Sequence, residues 1–132
     1  MNRRDFQTIA DIRIAEAQSL LAAGFFDGAY YLAGYSVECA LKACIARLTN
    51  QDDFPDKEFA LACYTHAIEK LVRAAGLTGQ RDADAPAHSE LSDNWDIVKD
   101  WTESSRYERH PSRRPRPSLR PLLTQLTEYS HG

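Results

Sequence analysis

Arginine and histidine, two residue types that can act together on a phosphate ester, stand near each other twice in this chain. Arg81 and His88 have six residues between them, and Arg106 and His110 have three. A histidine holds or gives up a proton near neutral pH, so it can relay protons between a ribose 2′-OH and a leaving oxygen. An arginine supplies a fixed cation for the charge that grows on the phosphorus during transfer. His88 directly precedes Ser89, a candidate helix cap, and the positive end of a helix there favours the neutral imidazole a general base needs. Two features weigh against these pairs. Asp82 and Asp84 set negative charge beside the first arginine, and Glu108 lies inside the second pair.

The remaining chemistry-bearing residues give weaker patterns. Cys39, Cys44, Cys63 and His66 invite a zinc site, but Cys39 and Cys44 on one helix point about 140° apart. Buried free thiols and a structural His66 are the better account, and no metal or other cofactor is implied. Tyr30, Tyr31 and Tyr35 can stack bases in principle, although on so apolar a helix a core or dimer-interface role is favoured. Six arginines and a single acid, Glu108, fall between Arg106 and Arg120. That segment carries about +5 and the remainder about −8, a basic strip on an acidic body that points to a local anionic partner.

Helices have to position these groups. Phe25 to Leu48 is the stretch the others pack around: Ala29, Tyr30, Ala33, Val37, Ala40, Leu41 and Cys44 form a buried stripe, and Tyr31, Leu32, Tyr35 and Ile45 make other faces apolar too. Asp27 can cap it, and Glu38 and Lys42 form an i,i+4 pair that would contribute only about 0.2–0.5 kcal/mol if exposed. Before it, a helix from Asp5 to about Ala23, with Asp5 as cap, ends on a left-handed Gly24. After it come a turn cluster at 50–57, a short helix over Lys57–Cys63, and a third helix from a Thr65 cap to Gly76. The segment from Leu77 to His88 lacks periodicity and reads as a long loop. A fourth helix begins at Ser89, uses Leu91, Trp95, Val98 and Trp101, and ends by about Arg109 because Pro111 disfavours a helical His110. Residues 111–118 are extended and rich in arginine and proline. A last helix starts near Ser118 with Leu119, Leu122, Leu123 and Leu126 inward. The fold class is all-α: an antiparallel bundle of four long helices plus a short C-terminal helix, one domain over 1–132. Neither a membrane span nor a signal-peptide core is present in the sequence, and the odd cysteine count agrees with a cytoplasmic protein.

Three segments, FFDGAYYLAGYSVECALKACIA, THAIEKLVRAAGL and LSDNWDIVKDWTESSRYE, resemble in order the HEPN family of small helical domains. The family pattern has an aromatic-and-alanine helix with an ExxxK step (Glu38, Lys42), a His-led third helix, and a fourth helix ending near Arg-Tyr (Arg106, Tyr107). The resemblance spans about Glu16 to Glu108. It implies a homodimeric helical bundle from toxin–antitoxin or nucleotide-related systems, often with a nucleotidyltransferase-like partner protein. Active members resemble metal-independent ribonucleases with an arginine, four to six residues and a histidine, and a polar residue straight after the arginine. Arg81 with Asp82 and His88 fits that signature and is the preferred catalytic pair; Arg106 with Tyr107 and His110 departs from it in spacing and in the residue after the arginine. With 12 arginines and four histidines, about one such match arises by chance.

The resulting expectation is a HEPN-like dimer that binds RNA, nucleotide or a partner protein without catalysis. Its binding residues would be Arg106, Tyr107, Arg109, His110, Arg113, Arg114 and Arg116. The alternative is a HEPN ribonuclease toxin that cleaves RNA with an Arg/His pair.

Overall fold

Asn2, and not Asp5, starts the first helix in the computed structural model, which describes residues 2–48, 64–84, 89–99, 101 and 120–131. The Asn2 side chain accepts from the Asp5 N–H at 2.9 Å, and the Asp5 carboxylate accepts from the Asn2 N–H at 3.0 Å. This reciprocal capping box satisfies two donors that a helix start leaves open. Asp5 belongs to the motif, three positions further in than expected. The helix, α1, runs Arg3–Ala22. Its end matches the expectation: Gly24 has φ +86°, the Gly24 N–H bonds Leu21 C=O, and the Phe25 N–H bonds Leu20 C=O at 2.9 Å. That pair of bonds is the Schellman arrangement, which needs a residue tolerant of positive φ.

The chain re-enters a helix at once. α2 spans Phe26–Leu48, and the Phe25 carbonyl accepts from Ala29, so Asp27 sits inside the first turn, where its charge complements the helix dipole. With only three residues between them and contact along their length, α1 and α2 form an antiparallel hairpin. Ala10, Ile14 and Ala17 of α1 are buried against it, and the Ser36 hydroxyl donates to the Ala10 carbonyl. Thirteen α2 residues are buried, on several faces, as the sequence pattern of this helix implies.

Beyond α2 the described helices are α3 (Ile68–Ala74), α4 (Thr78–Asp84), α5 (Ser89–Val98) and α6 (Arg120–His131), and no strand occurs among the described residues. The described residues are therefore mostly helical, and among the described helices only α1 and α2 are long. Thr65 accepts from the Ala67 N–H at 3.1 Å, a turn just ahead of α3 whose N-cap is Ala67. Ile68, Leu71, Val72 and Ala75 face inward as expected, and Gly76 at φ +70° ends α3 with the same two-bond motif as Gly24. Leu77 begins the stretch read as a loop, yet Thr78–Asp84 is helical. α5 stops at Val98, well before the limit set by Pro111: Trp101 N–H bonds Val98 C=O at 3.0 Å, a tightened turn that lowers the indole into the core, where it is 1% exposed.

α6 has a larger part than a terminal appendage. It lies along α2 and also touches α1 and α5. Leu122 and Leu126 are fully buried, the Asn94 side chain accepts from the Leu122 N–H, and Cys44 Sγ donates to the Leu126 carbonyl at 3.3 Å. The expected Lys57–Cys63 helix, the extended segment at 111–118 and the inward Leu91, Leu119 and Leu123 side chains lie outside the described residues. No described helix is long and apolar enough to cross a membrane.

The two described cysteines are buried free thiols. Burial, chiefly, pushes Cys39 up to about 11 and Cys44 up to about 12, from an ordinary thiol value of 9.0. At pH 8 the thiolate of Cys39 is then about one part in a thousand. Iodoacetamide at pH 8 should leave Cys39 and Cys44 unmodified in native protein and alkylate both in urea, read by peptide mass spectrometry. Rapid native labelling at either site would contradict the packing. Folding raises both values, so the folded state keeps protons the unfolded chain releases. This contribution to stability is intact below about pH 9 and declines as pH rises toward the folded values.

Candidate functional site

Glu38 lies one helical turn before Lys42 on α2, and both are turned toward the segment that leads into α3. The carboxylate is only 1% exposed by residue, a position that demands partners for its charge. Lys42 Nζ stands 3.1 Å from Glu38 Oε1, and His66 Nδ1 bonds the same oxygen. The other oxygen, Glu38 Oε2, is buried and has no hydrogen-bond partner among the described residues. Lys42 keeps 20% of its side chain exposed and His66 44%, so the cluster runs from the core to the surface.

Above Glu38 and His66 opens a cleft of about 560 Å³. Its walls are Arg13 and Glu16 from α1 and Tyr31 and Tyr35 from α2. Arg13 and Glu16 pair with each other across one turn. Tyr31 and Tyr35 have ring centroids 6.4 Å apart at 27°, and Tyr31 stacks on the buried Trp101 at 5.9 Å, giving a continuous aromatic wall. Burial, then the neighbouring Cys39 and Glu38, raise the Tyr35 hydroxyl above its ordinary value, so it is a neutral donor and acceptor at physiological pH. A shallower, mostly apolar groove of about 440 Å³ continues past Glu16 and Leu32 to Ala15, Ser19 and Leu20.

The arginine preferred from sequence is elsewhere. Arg81, on α4, places Nη1 2.7 Å from both carboxylate oxygens of Glu69 on α3. Its guanidinium lies 5.6 Å from the Trp95 ring centre on α5, and Nε is 3.5 Å from Asp82 Oδ1. The Glu69 hydrogen bond, above all, holds the Arg81 cation beyond its already high ordinary value. Arg81 thus fastens three helices together, and it explains why an aperiodic stretch is helical. It is not among the described residues lining the cleft. His88 lies outside the described residues, as do Arg106, Tyr107, Arg109, His110, Arg113, Arg114 and Arg116.

His66, read from sequence as a structural imidazole, is anchored to a buried acid and forms one side of the cleft. Arg13 and Glu16 drew no functional reading from sequence, and Tyr31 and Tyr35, read there as core or interface residues in preference to base-stacking ones, meet them only through the α1–α2 hairpin. The signal that was present is the Glu38–Lys42 spacing: an acid on an otherwise apolar helix must either reach the surface or find cations. No family model, curated protein or solved structure matches this chain.

Proposed function

We propose that this chain is a HEPN-like, homodimeric binding protein for RNA or nucleotide that does not cleave RNA, with a nucleotidyltransferase-like protein as a further partner. The observation that carries the non-catalytic reading is the engagement of Arg81. Its charge is matched by Glu69 at 2.7 Å, and its face is used by Trp95. A phosphate would have to displace a charge-assisted pair and would meet Asp82 at the same guanidinium. The anion-binding role falls to the arginines of 106–116, whose number and proline spacing in the sequence suit an extended strip along a phosphate backbone.

Dimerisation rests on apolar surface that the described chain leaves exposed. Phe25 is 64% and Ile12 48% exposed, and the apolar groove between α1 and α2 lies on the same hairpin. Light scattering at tens of micromolar should give a dimer mass; a monomer mass would remove this part.

The binding and catalytic readings separate in one experiment. Incubated with RNA in EDTA, the protein should leave the RNA intact while retarding it in a gel. Affinity should fall steeply with salt, and replacing Arg113, Arg114 and Arg116 with Ala should weaken binding and flatten the salt slope by about 0.7 per lost phosphate contact on a single strand. Cleavage that disappears with Arg81→Ala or His88→Ala would replace this proposal by the ribonuclease.

A further inference from the structure

Two buried side-chain atoms have no hydrogen-bond partner among the described residues, Glu38 Oε2 and Trp101 Nε1. They are complementary: an ionised carboxylate oxygen only accepts, and an indole N–H only donates. Each exposes less than 1 Å², so both are closed to solvent and to the cleft alike. Leaving either group unmatched in the interior is costly.

Helix α2 brings the two atoms to one place. A β-carbon on Gly34 would fall against Cδ1, Nε1 and Cγ of the indole, so the N–H edge of Trp101 lies on the α2 backbone at residue 34. Tyr31, one turn earlier on that face, stacks on the same side chain at 5.9 Å. Glu38 is one turn later, and β-positions four apart on a helix are about 5–6 Å from each other. Helical side chains lean toward the N-terminus, which carries the Glu38 carboxylate back over the turn where the indole N–H sits. Lys42 and His66, both partly exposed, take Oε1, and Oε2 is left as the inner oxygen.

The size of the missing partner follows. The two atoms are not bonded directly, yet they lie within a turn of each other. One water making two hydrogen bonds of ordinary length reaches across about 4.5–5.5 Å. A water held in a protein interior needs at least two polar partners, and this pair supplies one donor and one acceptor. Burial of both atoms leaves no way in for a larger ligand.

We infer that one ordered water is held inside the bundle, accepting from the Trp101 indole N–H and donating to Glu38 Oε2. Glu38 then joins three parts of the chain: Lys42 on α2, His66 ahead of α3 and, through the water, Trp101 beyond α5. The inference is independent of the binding reading above, since neither atom is open to a ligand.

Water–protein cross-relaxation in the native, nitrogen-15-labelled chain tests it. The Trp101 indole proton should give NOE and ROE peaks of opposite sign at the water frequency. Opposite signs mark a bound water, whereas proton exchange gives the same sign in both. The double variant Glu38→Leu with Lys42→Leu should lose these peaks and move the indole proton upfield as its hydrogen bond is lost. Peaks missing from the unmodified protein, or surviving unchanged in the double variant, would overturn the inference. If the double variant does not fold, a high-resolution crystal structure of the unmodified chain decides. A water within about 3.2 Å of both Nε1 and Oε2 is expected there. A direct bond between the two atoms, a protein group on either, or an empty gap would overturn it.

Discussion

Gly34→Ala should destabilise this protein markedly, although alanine is the better helix former. In the middle of α2 the exchange would ordinarily stabilise by about 1 kcal/mol. Here a β-carbon on residue 34 would fall against Cδ1, Nε1 and Cγ of the Trp101 indole, closer than real side chains approach. The indole cannot yield easily. Trp101 is 1% exposed, stacked on Tyr31 and held at the end of α5 by its own N–H bond to Val98. Overpacking of this kind costs about 1–3 kcal/mol, and expulsion of the ring approaches the roughly 3–5 kcal/mol of losing a buried tryptophan. The expected net loss in urea denaturation is about 2–3 kcal/mol after the propensity gain is deducted. A double-mutant cycle isolates the contact: in a Trp101→Ala background, Gly34→Ala should be neutral or stabilising. Equal destabilisation in both backgrounds would mean the glycine serves something other than the indole.

That contact also marks where sequence reading reached its limit. The glycine ends of α1 and α3 were legible because Gly24 and Gly76 each follow an apolar-periodic run, and the local backbone decides such a stop. The stripe of α2 was legible for the same reason: its thirteen buried residues need only the period of a helix to be recognised. Whatever depended on distant residues was not. Thr78–Asp84 has no apolar period, and Arg81 is tied to Glu69 twelve positions earlier, so tertiary contact supplies what propensity lacks. Trp95, Val98 and Trp101 are spaced as a continuing helix would have them, which hid the tightened turn after Val98. The capping box was misread by attending to Asp5 without its reciprocal partner Asn2. For the candidate site, Glu38 and Lys42 were visible as a local pair. Their burial was not, because it is created by the helices packed around α2, and by a histidine 28 positions away.

Lys42→Ala should be the most damaging change of a charged residue in the described chain. As an exposed i,i+4 pair, Glu38 and Lys42 would contribute about 0.2–0.5 kcal/mol, and their loss would pass almost unnoticed. In the structure Glu38 is 1% exposed, so removing its lysine leaves a buried carboxylate that must be protonated or pull the helix open. Breaking a buried pair from one side costs about 3–5 kcal/mol, and because Lys42 keeps 20% exposure the lower end is expected, about 3 kcal/mol. Glu38→Gln should cost less. It removes the buried charge, and Lys42, freed of its partner, can extend to solvent. His66→Ala should fall between, since it leaves the lysine in place and the histidine is itself partly exposed. The test of the ordering is the double variant Glu38→Leu with Lys42→Leu. Replacing both ends with apolar groups should recover most of the loss, because the damage comes from the charge left behind and not from the contact removed. Urea curves giving less than about 1 kcal/mol for Lys42→Ala would show that bulk water reaches Glu38.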